Sequence, residues 1–142
     1  MSEPLSSVFF YGLFMDEGVL AASGVQASSI RVGVARGYRL RIGDRATMQA
    51  DAESEVYGLV MDVESSALAA LYSEPSVVDY QPHMLEITLD GGQIMQAICY
   101  LLPSDDISGA NADYAESLLV LASRLGFPPS YLDVILAEGR LS

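Results

Sequence analysis

Few side chains in this sequence are equipped for chemistry. The 142 residues contain one cysteine, Cys99, and one histidine, His83. A single thiol cannot close an internal disulfide. One His and one Cys leave zinc sites of the usual ligand types, and Ser-His or Cys-His arrangements, poorly supplied. No GxSxG elbow is present, and no GxGxxG or GxxxxGK stretch to cradle a phosphate. Any reaction must therefore rest on carboxylates, hydroxyls and backbone groups, and no metal is expected. One stretch stands out, SSVFFYGLFMDEG at residues 6–18. Its apolar run Val8-Phe9-Phe10-Tyr11 meets Gly12 and turns at once into Leu13-Phe14-Met15-Asp16, where a turn would ordinarily be polar. Either the strand ends at Gly12 and a buried helix begins, or the backbone stops there to hold something.

The elements around that stretch alternate between strand and helix patterns. Residues 7–11 read as a buried strand, followed by a short helix over MDEGVLAAS that ends near Gly24. RVGVARGYRLRIG alternates with period 2, placing Val32, Val34, Tyr38, Leu40 and Ile42 on one parity with Arg36. Its glycines suggest bulges or a bend at a barrel corner. ATMQADAESEVYGLVMDVE predicts a short strand, an acidic turn and a second strand over Val56 to Val63. Serine caps open a helix of about two turns at SSALAALYSE. The plainest feature is PHMLEITLDGGQIMQAICYLLP, two alternating strands around the hairpin signal Asp90-Gly91-Gly92. After Pro103 come a helix over NADYAESLLVLASRLG, stopped by Gly126, and a last helix opened by a capping-box pattern at Ser130 to Asp133.

Strands without long helical crossovers argue against a doubly wound sheet. The expected fold is α+β, a mostly antiparallel small β-barrel with flanking helices, and residues 1–142 are expected to form one domain. With 51% hydrophobic residues the chain is not disordered. No apolar run approaches the roughly 18 residues that span a bilayer. The acidic, polar N-terminus MSEPLSS does not read as a signal peptide, so a cytoplasmic protein is expected. The net charge of −12, with no lysine, repels nucleic acid and anionic membranes. Five of seven arginines (Arg31, Arg36, Arg39, Arg41 and Arg45) fall in one segment, as a solvated face or as a cationic patch for an anionic ligand. Cys99 is expected to be a buried packing residue.

Four stretches, in order, resemble the gamma-glutamylcyclotransferase-like family. VFFYGLFMDEGVL is similar to its first strand and substrate-holding loop. AESEVYGLVMDVESSALAALYSE resembles its strand and helix ending in an acidic residue, VVDYQPHMLEITL the connection that follows, and FPPSYLDVILAEGRLS the C-terminal helix. The resemblance implies a closed or nearly closed barrel with a cavity at the Tyr-Gly loop. It also implies an intramolecular aminolysis that needs no cofactor, in which the α-amine of a gamma-glutamyl amino acid or amine attacks its own side-chain carbonyl and releases 5-oxoproline.

On this resemblance Glu74 occupies the position of the catalytic acid. One carboxyl can both deprotonate the attacking amine and protonate the leaving one. Leu13, Phe14 and Met15 would offer backbone N–H groups to the developing oxyanion. The expected substrate-binding residues are Tyr11, Gly12, Leu13, Phe14, Met15 and Tyr80. Tyr11 and Tyr80 fit equally as core tyrosines or as hydroxyl contacts, and Tyr131 reads as packing. Asp79 and Glu86 are rival acids, Glu86 facing either solvent or the barrel lumen. The family commonly has a small polar residue after Tyr-Gly and a glycine after the acid, where this chain has Leu13-Phe14 and Pro75. Such a loop suits a less polar γ-substituent, or none. The alternative is a non-catalytic small-molecule-binding or protein-interaction module on the same fold, and a homodimer is a possible assembly.

Overall fold

The computed structural model describes residues 4–43, 45–75, 77–102 and 112–139. Met1 to Glu3, Pro103 and Asn111, on which expectations above partly rest, lie outside them. Five strands close into a barrel: β1 (Leu5–Phe10), β2 (Ala27–Ile42), β3 (Ala46–Glu64), β4 (Gln81–Leu89) and β5 (Ile94–Leu101), in the spatial order β1-β3-β2-β4-β5. Four pairings are antiparallel, and the closing one, β1 with β5, is parallel. The expected α+β barrel is the fold observed, with a mixed strand set. Val8, Phe9, Val56, Val60, Met61, Ile87 and Cys99 are buried in the core, which lies on both faces of β1 and β3.

The helices are α1 (Glu17–Ala22), α2 (Ser65–Leu71), α3 (Ala112–Arg124) and α4 (Pro129–Gly139). Each buries a narrow apolar stripe: Leu68 and Leu71 on α2, and Ala115, Leu118, Leu121 and Ala122 on α3. Two helix starts differ from expectation. Glu64, not a serine, is the N-cap of α2, while the Ser65 hydroxyl lies 2.7 Å from that of Ser6 and ties the helix to β1. The last helix opens at Pro129, whose fixed φ and missing N–H suit a first helical position. No helix among the described residues is long and apolar enough to cross a membrane.

The long strand pair β2–β3 corrects the sequence in one respect. Val32 and Val34 are only half-buried; Gly33 and Ala35 face the core instead, and beyond Gly37 the inward set becomes Leu40 and Ile42. The register jumps there, from Arg36 opposite Glu55 to Tyr38 opposite Ala50. Residues 51–54 bulge out against Gly37, so parity changes across the bulge. The expected acidic turn is this bulge inside a continuous β3, held by Asp51, which accepts from the Glu53 N–H at 3.1 Å and the Ser54 hydroxyl at 3.0 Å. Gly37 adopts φ +86°, a conformation open to glycine at little cost.

The clustered arginines do not form an unpaired cationic patch. Arg31 pairs with Asp62, Arg36 with Glu55, Arg39 and Arg41 with Glu138, and Arg45 with Asp79. Glu138 also accepts the Ile42 N–H at 3.3 Å, which pins α4 to the end of β2.

Candidate active site

A cavity of about 310 Å³ opens where β1 leaves the barrel. Phe9, Phe10 and Tyr11 enter it from the end of β1, and Gly12, Leu13 and Phe14 continue its wall. After Gly12 the chain makes one turn of 3-10 helix over Leu13–Met15, closed by the Met15 N–H to the Gly12 carbonyl at 3.1 Å. Asp16 then caps α1 by accepting the Gly18 N–H at 2.8 Å. Thus the strand ends at Phe10, two residues before Gly12, and the apolar residues after the glycine build a wall around a hollow.

Gly12 is required here by close approach. Its φ is −116°, which any residue can adopt. A Cβ at this position would collide with the Tyr114 hydroxyl, delivered by α3. That hydroxyl accepts the Leu13 N–H at 3.3 Å. From the same helix Arg124 reaches Asp16 at 3.4 Å, so α3 holds the loop near both of its ends.

The opposite wall is the segment after α2. Tyr72, Val77 and Tyr80 line the cavity, with Arg45 and Ala46 from the start of β3. The segment runs as consecutive turns, Val77 N–H to the Glu74 carbonyl and Tyr80 N–H to the Val77 carbonyl, both at 3.0 Å. The Tyr72 and Tyr100 rings stack with centroids 3.6 Å apart and planes 7° from parallel. The Tyr11 hydroxyl donates to the Tyr100 carbonyl at 2.7 Å, joining the ends of the two parallel strands. The Tyr80 hydroxyl donates to the Ala46 carbonyl at 2.6 Å.

Charge in this wall is confined to Arg45 among the described residues. Its guanidinium makes two 2.7 Å hydrogen bonds to Asp79 and lies 5.5 Å from the centre of the Tyr80 ring. Those hydrogen bonds hold the Asp79 carboxyl below its ordinary value, making it a poor proton acceptor. Burial raises the tyrosines: Tyr11, Tyr72 and Tyr80 lie above the ordinary range, and Tyr114 is pushed up to about 12 against the opposing pull of the Leu13 N–H. At neutral pH these phenols are neutral polar groups and not bases.

Of the residues expected from sequence, Tyr11, Gly12, Leu13, Phe14 and Tyr80 come together around this cavity. Met15 does not; it is buried in the core and its N–H is spent within the turn. Glu74 is exposed and is not part of the cavity wall, although Tyr72 and Val77 on either side of it in the chain are. Of the three amides expected as donors, only that of Phe14 meets no acceptor among the described residues. Glu86 is exposed on β4 and faces solvent, and Tyr131 packs between Tyr57 and Phe127. Sequence reasoning missed Tyr72 and Tyr114, and named Arg45 only within the arginine cluster read as a solvated face or a patch for an anionic ligand. The two tyrosines carried a faint signal: Tyr72 is four residues beyond Leu68 and Tyr114 four before Leu118, on the buried stripes of their helices.

The fold and cavity can be set beside known proteins. A structure named Gamma-glutamyl cyclotransferase superposes with a TM-score of 0.78 at 17% identity, covering 94% of this chain and 88% of that one. YkqA from Bacillus subtilis gives 0.78 at 20% identity, with 98% of this chain aligned to 55% of the larger protein. An AIG2-like protein from Mus musculus gives 0.53 at 16% identity over 70% of this chain and 78% of its own. At these identities the likeness is one of fold. No curated protein matches the sequence significantly. The family described as Gamma-glutamyl cyclotransferase, AIG2-like, matches residues 8–117, spanning the Tyr-Gly loop, the barrel and Tyr114. The chain belongs to this AIG2-like gamma-glutamyl cyclotransferase family.

Proposed function

We propose that the protein cyclises the γ-glutamyl group of a small amide, releasing 5-oxoproline and an amine. The observation that carries this reading is the cavity itself, walled on one side by the loop after Tyr11-Gly12 and on the other by the segment containing Glu74. In the reaction the substrate α-amine attacks its own γ-carbonyl, a lactam C–N bond forms and the amide C–N bond breaks. The proton lost by the attacking nitrogen ends on the leaving one. Because the nucleophile belongs to the substrate, the protein has mainly to hold a folded conformer and move that proton.

Glu74 is the carboxylate for this transfer. It lies between two lining residues in a run of turns, and its exposed side chain is free to swing toward an ammonium bound at the cavity mouth. The Phe14 N–H serves the developing oxyanion, with the neutral Tyr114 hydroxyl fixing the loop beside it. Arg45, bonded to Asp79 at the wall, shares its guanidinium with the substrate α-carboxylate. Release of 5-oxoproline from a γ-glutamyl amide, abolished by Glu74→Gln with the fold intact, is the expected outcome. Release that survives the substitution removes Glu74 from the role.

A second reading draws on the absence of any carboxylate from the cavity wall among the described residues. On it the pocket binds an apolar small molecule without converting it, and ligand binding with no 5-oxoproline is the result that favours it.

A further inference from the structure

We propose that the amine released carries an aromatic or bulky apolar group. This rests on the γ-glutamyl reading of the cavity and adds the class of its substrate. Three observations support it.

The rings at the cavity form a connected series. Phe10 meets Phe14 edge-on at 5.9 Å, Phe14 meets Tyr72 edge-on at 6.0 Å, and Tyr72 meets Tyr80 at 6.1 Å. A further ring extends such a series in the edge-to-face and offset geometries that aromatic groups prefer.

Polar capacity is small and largely committed. The Tyr11 and Tyr80 hydroxyls donate to backbone carbonyls, and the Leu13 N–H is taken by Tyr114. The Phe14 N–H then matches the glutamyl carbonyl, and Arg45, already bonded to Asp79, has charge to share with one substrate carboxylate at most. An amino-acid leaving group would bring a second carboxylate to a wall whose only charged residue among those described is Arg45, in a protein of net charge −12. A buried charge without a partner is heavily disfavoured.

The volume also fits. An apolar cavity of about 150 Å³ accepts benzene; the 310 Å³ here has room for a glutamyl group and one ring.

The test compares L-γ-glutamyl-phenethylamide, L-γ-glutamyl-ethylamide and L-γ-glutamyl-L-phenylalanine with the full chain. 5-Oxoproline release and binding by saturation-transfer NMR are measured in parallel. The phenethylamide is expected to exceed each of the others in kcat/KM by at least about 10-fold: over the ethylamide because a ring adds several carbons to a discrimination worth about 10-fold or more for one, and over the dipeptide because a second carboxylate is disfavoured at this wall. Turnover of all three at similar rates overturns the substrate class and keeps the reaction. Preferential binding of the phenethylamide without turnover keeps the class of occupant and removes the reaction. Neither binding nor turnover overturns both.

Discussion

The Tyr114 hydroxyl accepts the Leu13 N–H at 3.3 Å and fills the space that a side chain at Gly12 would need. Two residues about a hundred positions apart in sequence thus set the shape of one loop. Gly12→Ala is expected to destabilise the protein by about 1–3 kcal/mol, because the added methyl must push back the partly buried Tyr114 hydroxyl. Combining it with Tyr114→Phe removes the atom it strikes, so the pair should cost less than the sum of the single changes. Urea unfolding of the four proteins checks this, and simple additivity would count against the contact.

The tyrosines give a prediction at alkaline pH. Tyr11, Tyr72, Tyr80 and Tyr114 have folded-state values raised above the ordinary 10.0 by burial. Below that value they are neutral in both states and their contribution is fully present. Above it the unfolded chain loses protons that the folded protein keeps, so stability falls as pH climbs from about 10 toward the folded values. The melting temperature should fall as pH is raised through about 10 and not below it, and above that pH the native protein should show fewer ionised tyrosines than the urea-unfolded chain in the same buffer. Identical phenolate absorbance in the two states would contradict the burial.

Gly37 tests the bulge that reverses the facing of β2. Nothing lies within 4 Å of a Cβ added there, so any cost of Gly37→Ala is conformational and follows from φ +86°. The expected loss is about 1–2 kcal/mol, measured by urea unfolding. A neutral or stabilising substitution would mean that the strand does not bulge at this position.

Local pattern made much of the fold legible. The Asp90-Gly91-Gly92 hairpin, the helix stopped by Gly126 and the apolar strand before Gly12 all follow from periodicity and turn chemistry, which act between near neighbours. The facing of β2 did not, because hydrophobic alternation does not announce a bulge: Val32 and Val34 look like core residues until residues 51–54 loop out against Gly37. The site divides in the same way. Tyr11 to Phe14 were legible because a glycine followed by bulky apolar residues is odd on its own. Arg45 and Tyr114 were not, since only barrel closure and the docking of α3 bring them to the loop. Glu74 shows a further limit: its place after α2 could be read from the chain, but the direction of its side chain depends on the turns at Val77 and Tyr80.

The most direct test of the account is the rate of 5-oxoproline formation from a γ-glutamyl amide by the native protein and by Glu74→Gln, with circular dichroism confirming that both are folded. The account predicts steady release by the native protein and a kcat lower by about 10²- to 10⁴-fold in the variant, the usual scale of a lost general acid–base group. Equal rates in the two proteins would contradict the assignment of Glu74, and no release by either from amides that bind would contradict the reaction.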